Sequence, residues 1–304
     1  MGPLFITYPG SMHLSPFGGN FAHRKDIMNS LRSFNAFSKD LPEQEYLMPV
    51  LFIGHGSPMN GIEDNDFSEG WKRMAGQIPQ PAAVLVVSAH WLSRGTRITA
   101  MDFPETIHDF GGFPQALFDL QYPAPGSPSL AKETAALFHT TQVELDHDWG
   151  LDHGAWTVIR HMYPQANVPV LQLSIDYTKG PAYHFELAKE LASLRRKGVL
   201  IMGSGNMVHN LRMVAWDKMD VPGYGYDWAL NMNDKFKALI TEQNYQPLFN
   251  YQSLGSDALM AIPTPEHYMP LMYTLGLRSA ADEVKFFNDK AVAGSLTMTS
   301  VKIG

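Results

Sequence analysis

Several histidines in this sequence stand where imidazole can do chemistry. Three follow runs of aliphatic and β-branched residues: His55 after PVLFIG, His90 after AVLVVSA, and His209 after VLIMGSGNMV. Imidazole is a common transition-metal ligand and the side chain whose proton equilibrium lies closest to neutrality. One histidine after a strand is usually a hydrogen-bonded loop residue. Three in corresponding positions mean more, because in an open α/β sheet the residues that follow strands meet in one crevice beyond the strands' carboxyl ends. The flanking segments GHGSP (54–58) and GSGN (203–206) also let the backbone pass close to a ligand, although an ordinary glycine-rich turn has the same composition.

Other candidates lie outside this pattern. His267 sits in TPEHY (264–268), where Thr264 can cap a helix and Pro265 can occupy its first position; Pro270 leaves that start ambiguous. The positive end of a helix keeps imidazole neutral and able to bind a metal. His153, in GLDHG (150–154), has an acid and two glycines beside it, which suits an acid–base group, while Asp152 equally suits a helix cap. His153 follows none of the clear apolar strands, which places it across the crevice from the metal candidates. His108, in the HDFGGFP loop, is a candidate substrate contact. Ser57 lacks the G-x-S-x-G elbow of a serine nucleophile. Neither GxGxxG nor GxxxxGK[ST] occurs, so nucleotide binding falls as well.

The elements that must position these side chains are readable from periodicity. Strands are expected at Pro49–Gly54, Ala83–Ser88, Val170–Ile175 and Val199–Gly203, all continuous apolar runs suited to burial on both faces. Helices are expected from Ser127-Pro128 onward and over Pro181–Arg196, and Ser295–Ile303 alternates like a half-exposed strand. The fold class is therefore α/β: a central mixed, largely parallel sheet flanked by helices, with a metal site at the carboxyl ends of the strands. Residues 1–47 lack a sustained apolar period and read as an N-terminal extension largely outside the fold, with 48–304 as one catalytic domain. Long loops at 102–126 and 215–226 are expected to be functional.

Composition limits the chemistry. The 304 residues include no cysteine and twelve histidines, so any metal must be held by nitrogen and oxygen. A net charge of -7 leaves no basic face for nucleic acid. No apolar run approaches a membrane span and no secretory pattern opens the chain, which points to a cytoplasmic protein, a monomer or small homo-oligomer.

Taken in order, GHGSPMN (54–60), VVSAHW (86–91), IHDFGGFPQALFD (107–119), YPAPGSP (122–128), DHGAW (152–156), SGNMVHN (204–210) and TPEHYMPLMY (264–273) resemble the class III extradiol ring-cleaving dioxygenases, and more narrowly the 4,5-DOPA extradiol dioxygenase group. The resemblance spans about residues 48–304. It implies one divalent metal per chain, a small catechol and O2 as substrates, and ring opening beside the diol to a semialdehyde. It also implies that His55, His90 and His267 are metal ligands, that His209 is a ligand or the active-site base, and that His153 is a second active-site histidine. Related enzymes use two histidines and a carboxylate on iron(II); the all-nitrogen set here suits Zn(II) as readily as the Fe(II) that activity requires. A zinc-dependent hydrolase and a non-catalytic metal-binding or ligand-binding protein are the alternatives on the same fold.

Overall fold

The continuous apolar runs become the centre of one sheet. The structure, a computed structural model, describes residues 41–304. Its strands are β1 (Val50–Gly54), β2 (Ala83–Ser93), β3 (Thr96–Thr99), β4 (Val143–Asp146), β5 (Val170–Asp176), β6 (Val199–Gly205), β7 (Val284–Phe287), β8 (Ala291–Val292), β9 (Leu296–Thr297) and β10 (Ser300–Ile303). Eight of them form a sheet in the order β4-β3-β5-β2-β6-β1-β10-β7, while β8 and β9 pair separately. The inner four, β5, β2, β6 and β1, are mutually parallel; β10 joins β1, and β3 joins β5, in antiparallel fashion. This is the mixed, largely parallel α/β sheet expected from the sequence.

Alternate residues of the inner strands face opposite layers, which is why these strands are apolar throughout. Val50, Leu85, Val87, Leu171, Leu173, Val199 and Ile201 pack beneath helices 128–137, 181–188 and 269–276. Leu51, Ile53, Val84, Val86, Leu200 and Met202 face the opposite layer with Trp71 and Met74 of helix 66–75 and Trp156, Val158 and Ile159 of helix 153–162. Ser127 caps its helix as expected, its hydroxyl accepting from the Leu130 N–H with Pro128 in the first turn. The helical path over 181–196 is interrupted by a 3-10 turn at Lys189–Leu191.

Three sequence expectations change. The strand expected to stop at Ser88 continues to Ser93 through an irregularity, so that Val87 to Leu92 of β2 spans only Leu173 to Ile175 of β5. His90 therefore lies within this bulged stretch and does not follow the strand. The helix expected from Thr264 begins at Met269, because Pro270 takes the first turn, where a missing N–H costs nothing. At the amino-terminal boundary, Leu41 is buried in the core under β1, and the Gln44 N–H donates to the Arg196 carbonyl at 2.7 Å, so residues 41–47 are tied to the domain. The remainder of the expected extension, residues 1–40, lies outside the described residues. Among the described residues no helix is long and apolar enough to cross a membrane.

One buried histidine away from the crevice gives the fold a pH dependence. His184 is fully buried, its Nδ1 3.0 Å from the Tyr273 hydroxyl and its Nε2 3.2 Å from the Asp176 carbonyl. Burial lowers its pKa from 6.5 to about 4. Between those values the unfolded chain takes up a proton that the folded ring refuses, so stability is full above pH 6.5 and falls as pH drops toward 4. A shift of this size corresponds to roughly 3 kcal/mol. His184→Gln keeps one donor and one acceptor without the titration. Its melting temperature is expected to fall less steeply than the wild type's between pH 7 and pH 4; parallel curves would contradict this account.

Candidate metal centre

The crevice is built where β1 and β6 end and β2 leaves β6 after Ser88 to continue through its bulge. Gly54 of β1 is the register partner of Gly205 of β6, and the His55 N–H donates to the Gly205 carbonyl at 3.1 Å. Ser204 then fixes the His55 ring. Its hydroxyl donates its one proton to the Gly154 carbonyl at 2.5 Å, so toward His55 Nδ1, 3.0 Å away, it can only accept. His55 therefore carries its proton on Nδ1, and Nε2 is left with a free lone pair. That Nε2 lies 3.1 Å from Nε2 of His90. Two nitrogens bound at about 2.1 Å to one ion, with angles of 90–110°, stand about 3.0–3.4 Å apart. The spacing of this pair fits that bite.

His153 is the first residue of helix 153–162, and its neighbour Asp152 is the cap, accepting from the Ala155 N–H. Asp152 is buried and further held by the Ser88 hydroxyl at 2.7 Å and the Gln172 amide at 2.7 Å. The cap reading of Asp152 is thus what the fold uses. Where the sequence suggested a place across the crevice, His153 instead lies beside His90, with ring centroids 3.9 Å apart. Residue 154 must be glycine for this approach, since a Cβ there would meet Ser88 Oγ at 2.5 Å and His90 Cδ2 at 3.0 Å. His55, His90 and His153 each offer a nitrogen within 4.8 Å of the others, a triad able to hold a metal.

His267 enters from the turn before helix 269–276. The Asn206 N–H binds its carbonyl at 2.9 Å, and Gly205 makes room for it, because a Cβ at 205 would stand 2.1 Å from that oxygen. Its ring centroid lies 5.4 Å from that of His55 and 5.0 Å from that of His90. His267 Nδ1 is buried without a hydrogen-bond partner; Glu266 Oε1 stands 3.6 Å off, beyond bonding distance, while that carboxylate is bound by the Thr264 hydroxyl at 2.6 Å. His209 follows β6 in an isolated bridge to Leu296 and stacks on His267, with centroids 3.6 Å apart and planes at 7°. Gly205→Ala should therefore displace His267, costing about 1–3 kcal/mol of stability by overpacking and weakening metal binding about tenfold or more. Metal titration of the variant checks this; unchanged affinity would mean that His267 does not depend on the close approach.

The imidazoles are held neutral. Burial lowers the pKa of His55 well below 6.5, reinforced by His90 and His267. Burial, then His153 and His267, brings His90 down to about 2, and burial with His267 brings His209 to about 3. Burial also lowers His267, against the opposing pull of Glu266. Neutral imidazole is the form that binds a divalent ion, so the cluster needs to shed few protons on loading.

Residues 102–126 are stapled across helix 153–162. Trp156 Nε1 donates to the Ile107 carbonyl at 2.9 Å, the Ile107 N–H to the Leu151 carbonyl, and the Leu151 N–H to the Glu105 carbonyl. His108 uses Nε2 on the Leu120 carbonyl at 2.9 Å and packs against Phe110, Phe118 and Trp156, contacts that serve the loop itself. Its neighbour Asp109, which the sequence reading did not single out, reaches the imidazoles: Oδ2 is 3.0 Å from His153 Nδ1 and 3.3 Å from His90 Nδ1. Burial, the largest single influence, pushes its pKa up, but the hydrogen bonds and charge of His153 together with the charge of His90 outweigh it and lower the carboxyl to about 2, an anion. The available signal was an acid directly after His108 in a loop too long to be mere connection.

Comparison with known proteins agrees with this geometry. Residues 49–302 match the family described as the catalytic LigB subunit of aromatic ring-opening dioxygenase, which is metal-dependent. An Escherichia coli protein named 4,5-DOPA dioxygenase extradiol is 48% identical over 270 residues, 88% of this chain and 98% of its own. A Beta vulgaris protein of the same name is 32% identical over 266 residues, 85% of this chain and 97% of its own. A crystal structure of an uncharacterized protein from Escherichia coli K12 superposes with a TM-score of 0.73 at 43% identity, covering 84% of this chain and all of that one. With its histidine cluster at the strand ends and a match over nearly all of the described chain, this protein belongs to the LigB family and is an extradiol aromatic ring-opening dioxygenase.

Proposed function

We propose that the chain opens the ring of a small catechol such as L-DOPA with O2, cleaving the 4,5 bond to a seco-DOPA semialdehyde, and that His55, His90 and His267 hold one Fe(II). The ring spacing supports this ligand set over the triad with His153. Imidazoles bound at about 2.1 Å to one ion at angles of 90–110° have centroids about 4.6–5.3 Å apart. Among His55, His90 and His267 two pairs lie within that range, at 5.1 and 5.0 Å, and the third, His55 with His267, just beyond it at 5.4 Å. His90 and His153 at 3.9 Å, and His209 and His267 at 3.6 Å, are too close to be fellow ligands. In this reading His153 and His209 serve the substrate and its protons.

A divalent iron at these nitrogens supplies redox capacity and the positive charge that acidifies a catechol hydroxyl. His153 then accepts a proton through Nε2, because its Nδ1 is turned to Asp109. The carboxylate opposite steadies the imidazolium that forms, as an acid does behind any catalytic histidine. Phe110 sets its ring against His153 edge to face, with centroids 5.6 Å apart, and forms an apolar wall beside the proton acceptor. His209, face to face with His267, is the second proton carrier, able to return a proton to the opened product.

The experiment is oxygen uptake with L-DOPA on protein reconstituted anaerobically with Fe(II), beside the zinc-loaded protein. Ring opening consumes one O2 per catechol and yields a yellow product. A protein that leaves O2 and the catechol untouched with iron, yet hydrolyses esters with zinc, would overturn the proposal.

A further inference from the structure

One carboxylate touches both functional classes of histidine. Asp109 Oδ2 accepts from His153 Nδ1 at 3.0 Å and faces His90 Nδ1 at 3.3 Å, while Oδ1 accepts from the backbone N–H of His153 at 2.9 Å. All three groups that meet this carboxylate are N–H donors or rings able to become so. The side chain is only 18% exposed, and its loop is bound to helix 153–162 by the Trp156 and Leu151 hydrogen bonds, so its position is fixed from outside the cluster. A partner that binds one ring nitrogen decides which nitrogen carries the proton and which faces the ion or substrate.

We propose that Asp109 is a positioning residue that sets the ligand His90 and the proton acceptor His153 together, holding both rings with Nδ1 toward itself and Nε2 toward the crevice. The geometry explains the pairing of His90 Nε2 with His55 Nε2, since His55 is turned the same way by Ser204. Two of the three proposed ligands and acceptors on this side thus owe their orientation to one oxygen atom. The inference rests on the ligand set proposed above for His90 and on the proton role of His153.

An isosteric amide cannot substitute. In Asp109→Asn the NH2 group must point either at the His153 backbone N–H, donor against donor, or at the two ring nitrogens, where it donates to Nδ1 and drives the ring proton to Nε2, the nitrogen that faces the crevice. The test is the affinity of the metal-free protein for Zn(II) and Co(II), measured against a competing chelator, with L-DOPA turnover at saturating Fe(II) as a second reading. D109N is expected to bind both metals about 10–100-fold more weakly, to shift the visible absorption of bound Co(II), and to lose kcat at saturating metal with KM near the wild-type value. D109E, which restores two acceptor oxygens, should recover part of each. If D109N does not fold, D109E is compared with D109Q, which differs from it only in charge. A variant that melts earlier but keeps wild-type metal affinity and metal-saturated turnover shows a role confined to loop packing and overturns the proposal. A wild-type protein whose metal affinity depends on Asp109 but which cleaves no catechol would leave Asp109 in place and sink the dioxygenase substrate instead.

Discussion

Replacement of His55, His90 or His267 by alanine is expected to remove bound metal and ring cleavage together. Protein–zinc sites with four donors bind with about 10–16 kcal/mol, roughly 3 kcal/mol per donor, so losing one costs on the order of 10²-fold in affinity. At metal concentrations near the dissociation constant that is enough to empty the site. The fold should survive each change, because these rings face the crevice and the core beneath them is formed by Leu51, Ile53, Val86 and Met202. Metal per chain by elemental analysis, read beside the melting temperature, checks the result. His267→Ala keeping its metal while His153→Ala loses it would move the ligand set to His55, His90 and His153, the triad whose nitrogens also lie close together.

His153→Ala is expected to do the opposite: to keep the metal and lose turnover by about 10²–10⁴-fold, the usual contribution of a positioned acid–base group. The His90 and His153 ring centroids stand 3.9 Å apart, closer than the spacing of the proposed ligand set, and His153 Nδ1 is turned to Asp109. Its ring can therefore leave the ion's ligand count unchanged. Single-turnover rates with iron-saturated variant, compared with bound metal, separate the two roles. Turnover equal to the wild type would reduce His153 to the first residue of a capped helix.

The architecture was largely legible because a doubly covered parallel sheet demands long apolar strands. VLFIG, AVLVV, VLQLSI and VLIMG fit the buried centre of such a sheet, and their ends fix the edge where His55 and His209 emerge. Local rules also served for the Ser127-Pro128 helix start and for Asp152, whose short acidic side chain binds the next turn's amide. They failed at Thr264-Pro265, where two prolines compete for one first turn and the packing of Tyr268 and Met269 in the core selects the later one. They failed as well at the end of β2, whose extension through His90 is made by pairing Leu92 and Ser93 with β5.

Residue types and local order alone determined that this chain holds an α/β sheet, that any metal must be held by nitrogen and oxygen, and that His55, His90, His153, His209 and His267 are the residues to watch. Tertiary structure decided their arrangement, on which the division of labour proposed above rests. Ligand, acid–base group and orienting carboxylate differ by an ångström or two in ring separation and by which nitrogen carries the proton, and those are set by partners far off in sequence. Ser204 holds His55 across 149 positions and Asp109 holds His153 across 44. A short-range pattern cannot encode such contacts, because they exist only once the strands have brought their ends to one edge and the loop has been bound over the helix.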